Sequence, residues 1–322
     1  MLDRYSKTDY TVVRTGEFSA MELRVLRYFL ATAREGSILG AARFLHVTQP
    51  TLSRQLQELE EELGQKLLIR SNRHITLTPE GKLFRKRAED VMEIIRKTEA
   101  EFRSMGSALR GDIHIGSGET DAMKEIARIF RELHDEYPGI RYHVCSGKSE
   151  DIEELVDKGI LDFGVLIQPV SISKYDYLKL PFKDVWGVIM RKDSPLAAKR
   201  AVGYDDLRNL PLICSRQIPQ LGTGKSGYPE WFGKSFSQWN VVATYNLIYN
   251  AAQMVEAGLG YAIGLDKTIN TTAHSALCFR PLTPRVESEL VIIWKKYQIF
   301  SSASEIFLNR LQKEFAAPAA EE

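Results

Sequence analysis

The segment from Gly36 to Leu63 constrains the fold more than any other part of this sequence, because it predicts two short helices joined by a tight turn. Ser37 is placed to cap the first helix through its hydroxyl. Thr48 is placed to cap the second, where Pro50 is tolerated in the first turn because the amides there lack helical partners. Leucines at helical spacing mark the buried side of the second helix: Leu52, Leu56, Leu59 and Leu63.

The other side of the second helix has the chemistry of a surface that reads DNA. Ser53, Arg54 and Gln57 follow Pro50 at the spacing of one helix face. Serine and glutamine can exchange hydrogen bonds with base edges, and arginine can reach guanine or a phosphate. No acidic residue lies between Gly36 and Gln57. Taken alone, the segment fits a helix-turn-helix or an ordinary amphipathic helix pair in a bundle.

The next segment favours the DNA-binding interpretation. Residues 65–77 contain two short β-prone runs around a polar tip with Arg70 and Arg73, which predicts a hairpin suited to phosphate or minor-groove contact. This hairpin would be the wing of a winged helix-turn-helix. The candidate DNA-binding residues are Thr48, Gln49, Pro50, Ser53, Arg54, Gln57, Arg70 and Arg73.

A long helix is predicted to begin at Thr78-Pro79-Glu80, with threonine as the cap and proline at the first position. Apolar residues then recur in alternating steps of four and three, which is the heptad pattern of a helix that pairs with a copy of itself. This favours a dimerising linker helix over a helix packed on its own domain. The seam consists of Phe84, Ala88, Val91, Ile95, Thr98, Phe102, Met105 and Leu109.

Composition and charge agree with a soluble cytoplasmic protein of two or three domains. The chain has 322 residues and 44% hydrophobic content. Residues 1–110 hold 19 basic and 15 acidic residues, whereas residues 111–322 hold 24 and 27, so the modest positive excess lies in the half that should bind DNA. No apolar run approaches the length of about 20 residues that a membrane helix needs, and no signal-peptide core is present.

The second half of the chain alternates strands and helices, which is typical of open α/β lobes. A first lobe is predicted over about 111–181 and 279–310, and a second over about 182–278, with two chain crossings that imply a hinge. Ligands in such sheets bind beyond the carboxyl ends of the strands, where helix starts present free amides. The turns at 116–120 and 146–149 therefore point at one cleft.

Together these residues resemble the LysR-type transcriptional regulator family from residue 21 to about 310. The resemblance implies a winged helix-turn-helix at 21–78, a dimerising linker helix at 79–110 and a two-lobed effector domain, similar to periplasmic binding proteins, at 111–322. It also implies a homodimer through the linker helix and assembly as a homotetramer. Residues 1–20 precede the usual family start, and we expect a flexible extension there. The motifs that carry the resemblance run from Met21 to Gly81 and continue with IHIGSG, EYPGIRYHVCSG, LDFGVLI, MRKDSPLA, LPLICSRQ and MVEAGLGYAIGL.

The resemblance and the turns also give candidate effector-binding residues. Thr120 matches a family serine or threonine at the first helix start, which favours a ligand contact over a role as helix cap. Ser149 and Asn246 could also be helix caps. Many family members bind carboxylates here; Glu119 weakens that expectation for this chain, and Lys148 favours it. The candidates are Ser117, Gly118, Thr120, Ser146, Lys148, Ser149, Gln168, Pro211, Ile213, Thr244 and Asn246.

The predicted function is a regulator that binds double-stranded promoter DNA and a small-molecule effector, with a small acid as one candidate, and that needs no cofactor or metal. RNA polymerase is a further candidate partner, and no membrane is expected. The alternatives are an architectural DNA-binding protein without a ligand or cleft, and a thiol redox sensor, for which Cys214 is the one cysteine in a plausible segment. An enzyme is disfavoured because no nucleophile–base pattern or metal-ligand spacing is present.

Overall fold

The computed structural model describes residues 21–71, 74–104, 110–218 and 238–315, with only the backbone of 103 and 104. Residues 1–20, Arg73 and the seam residues Met105 and Leu109 lie outside this range. The chain forms two compact units, Met1–Lys97 and Thr98–Glu322. None of the helices within the described ranges is long and apolar enough to cross a membrane.

The first unit begins with three helices whose ends are set by the predicted caps. The hydroxyl of Ser37 accepts a hydrogen bond from the Gly40 amide at 2.9 Å, and that of Thr48 accepts one from the Thr51 amide at 3.4 Å. Both capping predictions are confirmed. The helices are α1 (Leu23–Glu35), α2 (Ile38–Phe44) and α3 (Gln49–Glu62).

The predicted leucine stripe of α3 forms the core of this unit. Leu52, Leu56 and Leu59 are at most 1% exposed and pack with Phe29 of α1. The ring of Phe29 meets that of Phe84 edge-to-face, with centroids 4.9 Å apart, a geometry that aromatic pairs prefer. The helix-turn-helix is therefore held by its own apolar faces.

The predicted wing is present as two antiparallel strands, β1 (Leu68–Arg70) and β2 (Ile75–Leu77). It is anchored to α3 by Glu60, which is 3% exposed. The Glu60 carboxylate accepts hydrogen bonds from the amides of Leu67 and Leu68 at 2.9 and 3.0 Å and from Lys66 Nζ at 3.2 Å. Burial alone would raise the pKa of Glu60, but these donors together lower it.

The long helix α4 (Pro79–Ser104) begins as predicted, with the Thr78 hydroxyl accepting from the Gly81 amide at 2.9 Å. Gly81 is required by close approach, because a Cβ there would lie 2.1 Å from the Leu67 carbonyl oxygen. Along the heptad seam, Ala88 is buried, whereas Val91 and Phe102 are 40% and 66% exposed. The later part of the seam thus presents apolar side chains that the described residues do not cover.

The second unit contains a ten-stranded mixed sheet with the main order β4-β3-β5-β12-β6-β10-β8-β9, and with β11 paired to β6 and β7. Parallel pairing of β3 with β4 and β5 confirms the open α/β arrangement. The strands are β3 (Arg110–Ser117), β4 (Gly139–Ser146), β5 (Phe163–Ile167), β6 (Tyr175–Arg191), β7 (Val202–Gly203), β8 (Leu212–Ser215), β9 (Val241–Tyr245), β10 (Tyr261–Leu265), β11 (Leu277–Thr283) and β12 (Glu287–Lys295). The helices are α5 (Met123–Glu136), α6 (Ser149–Asp157), α7 (Tyr204–Leu207), α8 (Ile248–Glu256) and α9 (Ser302–Phe315), with a short 3-10 helix at Pro195–Ala198.

Strand β6 is shared by two lobes. Its first part, up to Val185, pairs with β12, and its second part, from Trp186, pairs with β10 and β11. The sequence predicts the first lobe boundary at about residue 181, and Leu180 and Phe182 both pack with the core of the first lobe. Pro181 does not break the strand, since the register with β12 shifts there, and an irregular position tolerates the missing amide donor.

We predict that Glu60→Ala lowers the unfolding free energy of the first unit by about 2 kcal/mol, because two buried amides lose their acceptor. Hydrogen exchange of the Leu67 and Leu68 amides in the full-length protein measures the loss. Because the pKa of Glu60 is lowered in the fold, its contribution is complete above its ordinary value of 4.5 and is lost as the pH falls below it. Glu61→Ala, which removes an exposed carboxylate bonded to Gln57, is the control; an equal effect would contradict the anchoring role of Glu60.

Candidate functional sites

The exposed side of α3 carries the residues predicted to contact DNA. Thr48, Gln49, Pro50, Arg54 and Gln57 are exposed, and Ser53 is partly exposed. Their donors are oriented by acids one turn later: Arg54 Nε lies 2.7 Å from Glu58 Oε1, and Gln57 Nε2 lies 2.8 Å from Glu61 Oε1. If Arg54 contacts a base or phosphate, its guanidinium must therefore break its hydrogen bond to Glu58 or bind both groups at once.

The wing is tied to the same side of α3. Arg70 Nη1 donates to Ser53 Oγ at 3.4 Å, and Arg70 Nη2 lies 3.7 Å from Glu60 Oε2. Arg70, Ser53 and Arg54 thus form one continuous polar surface. The position of Arg73 lies outside the described residues.

A cavity of about 290 Å³ lies between the two lobes of the second unit. It is beyond the carboxyl ends of β3 and β4 in the first lobe and of β8 and β9 in the second, where ligands bind in open α/β sheets. The predicted residues that line it are Gly118, Lys148, Ser149, Gln168 and Asn246.

The other candidates do not line this cavity. Ser117 is 2% exposed and its hydroxyl donates to the Gly118 carbonyl, and Ile213 is fully buried in the second lobe. The Pro211 carbonyl accepts the Tyr261 amide at 2.9 Å, within the sheet. Ser146 and Thr244 are exposed near the strand ends but outside the cavity wall.

The start of α8 differs from the sequence prediction. The sequence left Asn246 open as a cap of this helix or a ligand contact; α8 begins at Ile248, and Leu247 occupies the cap position without a side-chain bond. The Ile248 amide instead donates to the carboxylate of Glu119, which reaches across from the first lobe. Burial raises the pKa of Glu119, and the bond from Ile248 opposes that rise. A residue 129 positions away thus supplies the cap.

A second hydrogen bond joins the lobes at the cavity. Gln217 Nε2 of the second lobe donates to Glu150 Oε2 of α6 at 3.3 Å. Both of these bonds at the cavity use a carboxylate of the first lobe as the acceptor and a donor of the second, as does the ion pair between Lys267 Nζ and Asp121 Oδ2 at 3.4 Å. The relative position of the lobes is therefore linked to the charge of Glu119 and Glu150.

Thr120 does not line the cavity either, and it contacts Asp184, which lies where β6 passes between the lobes. Its hydroxyl accepts the Ala122 amide at 3.2 Å and is also a partner of the buried Asp184 carboxylate. Burial raises the pKa of Asp184 to about 6, and the nearby charges of Asp266 and Asp121 add to the rise. Thr120 therefore contacts the part of β6 that joins the two lobes, rather than the cavity.

Sequence reasoning missed a group of cavity residues. Glu150 and Glu153 lie three positions apart on α6, so they share the helix face that carries the predicted Ser149, and that spacing could have identified them. Trp186, Leu247, Ile248 and Leu265 line the cavity from the second lobe; their patterns resemble ordinary core residues. These residues line a cavity only because the two lobes come together, and local sequence spacing does not show that.

The cysteines do not form a redox pair within the described residues, where all three are free. Cys214 is fully buried, and burial raises the pKa of its thiol to about 12. Because the thiolate is the reactive form, a thiol in this environment is a poor oxidant sensor. The alternative function of a thiol redox sensor that uses Cys214 therefore loses its support.

The fold and the two sites are those of a DNA-binding regulator with a ligand cleft, and comparison with protein families agrees. The LysR substrate binding domain model matches residues 106–316, and the model of the bacterial regulatory helix-turn-helix protein, lysR family, matches residues 23–82. The chain therefore belongs to the LysR family of transcriptional regulators. It is a DNA-binding regulator with an effector-binding domain, as predicted.

Relatives of full length support this assignment. The Hca operon transcriptional activator HcaR of Escherichia coli K12 is 29% identical over 304 residues, covering 93% of this chain and 100% of that protein. The HTH-type transcriptional regulator YvbU of Bacillus subtilis 168 is 26% identical over 299 residues, covering 92% and 100%. Both are named as transcriptional regulators, so an enzymatic role finds no support among them.

Solved structures share the fold. The crystal structure of CbnR, a LysR family transcriptional regulator, superposes with a TM-score of 0.71 at 19% identity, covering 92% of this chain and 100% of that chain. The full-length CbnR complex with its target DNA gives a TM-score of 0.69 at 20% identity, covering 91% and 99%. The winged helix-turn-helix, linker helix and two-lobed α/β domain predicted from the sequence are thus confirmed as the fold class.

We predict that Asp184→Asn stabilises the second unit at neutral pH and leaves it unchanged in acid. A carboxyl whose pKa is raised favours the fold while protonated, and that contribution is lost as the pH rises from its ordinary value of 3.8 through about 6. The full shift corresponds to about 3 kcal/mol, an upper bound if Asn packs less well. Melting temperatures measured from acid to neutral pH test this, with exposed Asp205→Asn as the control; a gain independent of pH would contradict it.

Proposed function

We propose that this regulator reads promoter DNA with the exposed side of α3 and the wing, and that a small molecule bound between the lobes of its second unit alters those promoter contacts. The observation that carries the proposal is the 290 Å³ cavity whose wall is contributed by both lobes. A ligand that contacts both lobes binds differently to each relative orientation of them, and so shifts their equilibrium. An architectural protein without a ligand would not need such a cavity.

Chemistry supports the DNA-contact residues. Exposed glutamine, serine and arginine side chains on one helix can form hydrogen bonds with base edges in the major groove, while wing cations suit the phosphates. We assign Thr48, Gln49, Pro50, Ser53, Arg54 and Gln57 to the groove-facing surface. Arg70 and Arg73 are assigned to the backbone or minor groove. A protein that acts on promoters works where the chromosome lies, so we propose a cytoplasmic location.

We further propose a homodimer that pairs through α4. Val91 and Phe102 are exposed and belong to a heptad seam, and a second copy of the same seam would bury them. Association of two dimers as a homotetramer, and contact with RNA polymerase, are proposed from the family resemblance. The domain boundaries at residues 21, 79 and 111 and the extension at 1–20 remain predictions of the sequence.

We predict that Arg54→Ala lowers affinity for an operator duplex by about tenfold or more, because a bidentate arginine–guanine contact contributes about 1–3 kcal/mol of discrimination. The operator is first selected from random-sequence duplexes with the wild-type protein, and affinity is then measured by gel shift. Arg54→Lys keeps the positive charge but cannot form the bidentate contact of a guanidinium. If Arg54→Lys binds the operator as tightly as the wild type, Arg54 contacts a phosphate rather than a base. Arg24→Ala, an exposed arginine at the start of α1, is the control; unchanged affinity of Arg54→Ala would refute the groove assignment.

We predict that Val91→Glu dissociates the dimer, because a charge buried without a partner in the seam is strongly unfavourable. Sedimentation of the full-length protein at micromolar concentration should show a shift toward monomer. Ala100→Glu adds the same charge on the opposite side of α4 and should leave the dimer intact. A Val91→Glu variant that sediments like the wild type would place the main interface elsewhere.

A further inference from the structure

The cavity between the lobes has more acidic than basic side chains. Among the described residues that line it, Glu119, Glu150 and Glu153 are carboxylates, and Lys148 is the one cationic side chain. Lys148 Nζ is itself 3.6 Å from Asp151 Oδ1 and 4.0 Å from Glu150 Oε2. Its charge is already offset by acids on α6, so the described wall favours a positively charged ligand.

The helix start that would best attract a ligand carboxylate is occupied by the chain itself. The first amides of α8 carry partial positive charge and would suit an anion, but the Ile248 amide is bonded to Glu119. A ligand carboxylate would have to displace a tethered carboxylate from this position. At the other helix start, the first turn of α6 carries Glu150 and Asp151, which compensate its dipole.

Among the carboxylates of the cavity wall, Glu153 would be stabilised most by a bound cation. Within the described residues its side chain makes no hydrogen bond and no ion pair, although it is partly buried in the cavity wall. Burial raises its pKa, with the more distant Lys174 opposing the rise. A partly desolvated carboxylate without a partner is stabilised by an incoming cation more than one that is already paired.

Part of the wall is apolar. Ile167, Trp186, Ile248 and Leu265 line the cavity, and its volume of about 290 Å³ suits a small organic molecule. An aromatic or aliphatic body would fill this part, while a charged head would lie on the acidic side. The Trp186 indole nitrogen already donates to Ser288 at 2.9 Å, so Trp186 offers the ligand mainly its ring.

We propose that the effector of this regulator is a small organic cation, an amine with an apolar body, whose ammonium group pairs with Glu153 in the cleft. This replaces the small acid suggested by the family resemblance, and it rests on the proposed effector role of the cleft. Glu119 and Glu150 add to the negative potential and join the two lobes. An amine bound here would reach Glu119 and Glu150, the acceptors of the two cross-lobe hydrogen bonds at the cavity.

Three probes that share a benzyl body separate charge from shape: benzylamine, benzyl alcohol and phenylacetate carry a cationic, a neutral and an anionic head at neutral pH. With the full-length protein we expect benzylamine to give a saturable rise in melting temperature, since a ligand that binds only the folded state stabilises it. Calorimetry should show benzylamine binding about tenfold more tightly than benzyl alcohol. Phenylacetate should bind more weakly than either.

Substitution of the carboxylate tests the contact. Glu153→Gln should weaken benzylamine about tenfold and leave benzyl alcohol unchanged. Glu154→Gln is the matched control, because Glu154 is the next residue of α6, is exposed and does not line the cavity. The proposal is overturned if benzylamine gives no saturable stabilisation, if phenylacetate binds more tightly than benzylamine, or if Glu153→Gln binds benzylamine as the wild type does.

A blocking variant distinguishes failure of the ligand class from failure of the cleft. Ser149→Trp places a large side chain in the cavity wall and should abolish binding of all three probes. If phenylacetate alone binds and Ser149→Trp removes it, the cation is excluded but the cleft remains the effector site. If a probe binds equally well to Ser149→Trp, binding is elsewhere, and both the ligand class and the proposed role of the cleft are overturned.

Discussion

The backbone of β6 connects the two lobes as one hydrogen-bonded strand, and the cleft depends on this. Because its first part pairs with β12 and its second part with β10 and β11, any change in the lobes' orientation must be absorbed where the pairing changes, beside Asp184. That carboxyl is 2% exposed and lies near the acidic groups of Asp121 and Asp266. The part of β6 that must bend therefore also holds a carboxyl whose ionised form is destabilised by burial. We infer that the sheet is least stable at this point.

Three buried or half-buried acids show how differently a carboxylate acts according to its donors. Glu60 accepts two amides and an ammonium, so its pKa falls and it stabilises the wing as an anion. Burial raises the pKa of Asp184, and the hydrogen bond from Thr120 does not offset that rise. Glu119 lies between these two cases: burial raises its pKa, and the hydrogen bond from the Ile248 amide of the other lobe partly offsets that rise. The first acid holds a rigid element in place, and the other two lie where the two lobes meet.

Features that depend on neighbours in the sequence could be predicted, and features that depend on distant ones could not. The caps at Ser37, Thr48 and Thr78, the leucine side of α3 and the strand–turn–helix pattern around 113–149 follow from local spacing and were found in the structure. The cap alternative for Asn246 fails because the acceptor, Glu119, comes from the other lobe. Thr120 matched a family position, yet its orientation toward Asp184 depends on β6. The buried anchor Glu60 is hidden in the acidic run 58–62, where only packing distinguishes it from its exposed neighbours.

The two cross-lobe hydrogen bonds at the cavity connect ligand charge to the relative orientation of the lobes. A ligand shifts a conformational equilibrium only by its difference in affinity between the two states, so the relevant contacts are those that exist in one orientation of the lobes and not in another. Glu119 with Ile248 and Glu150 with Gln217 join the lobes in the described orientation. A cation placed among these carboxylates would compete with the second lobe for their lone pairs, whereas an anion would compete with the carboxylates for the donors. The sign of the ligand's charge therefore decides which lobe loses a partner, and this is why the acidity of the wall bears on mechanism as well as on affinity.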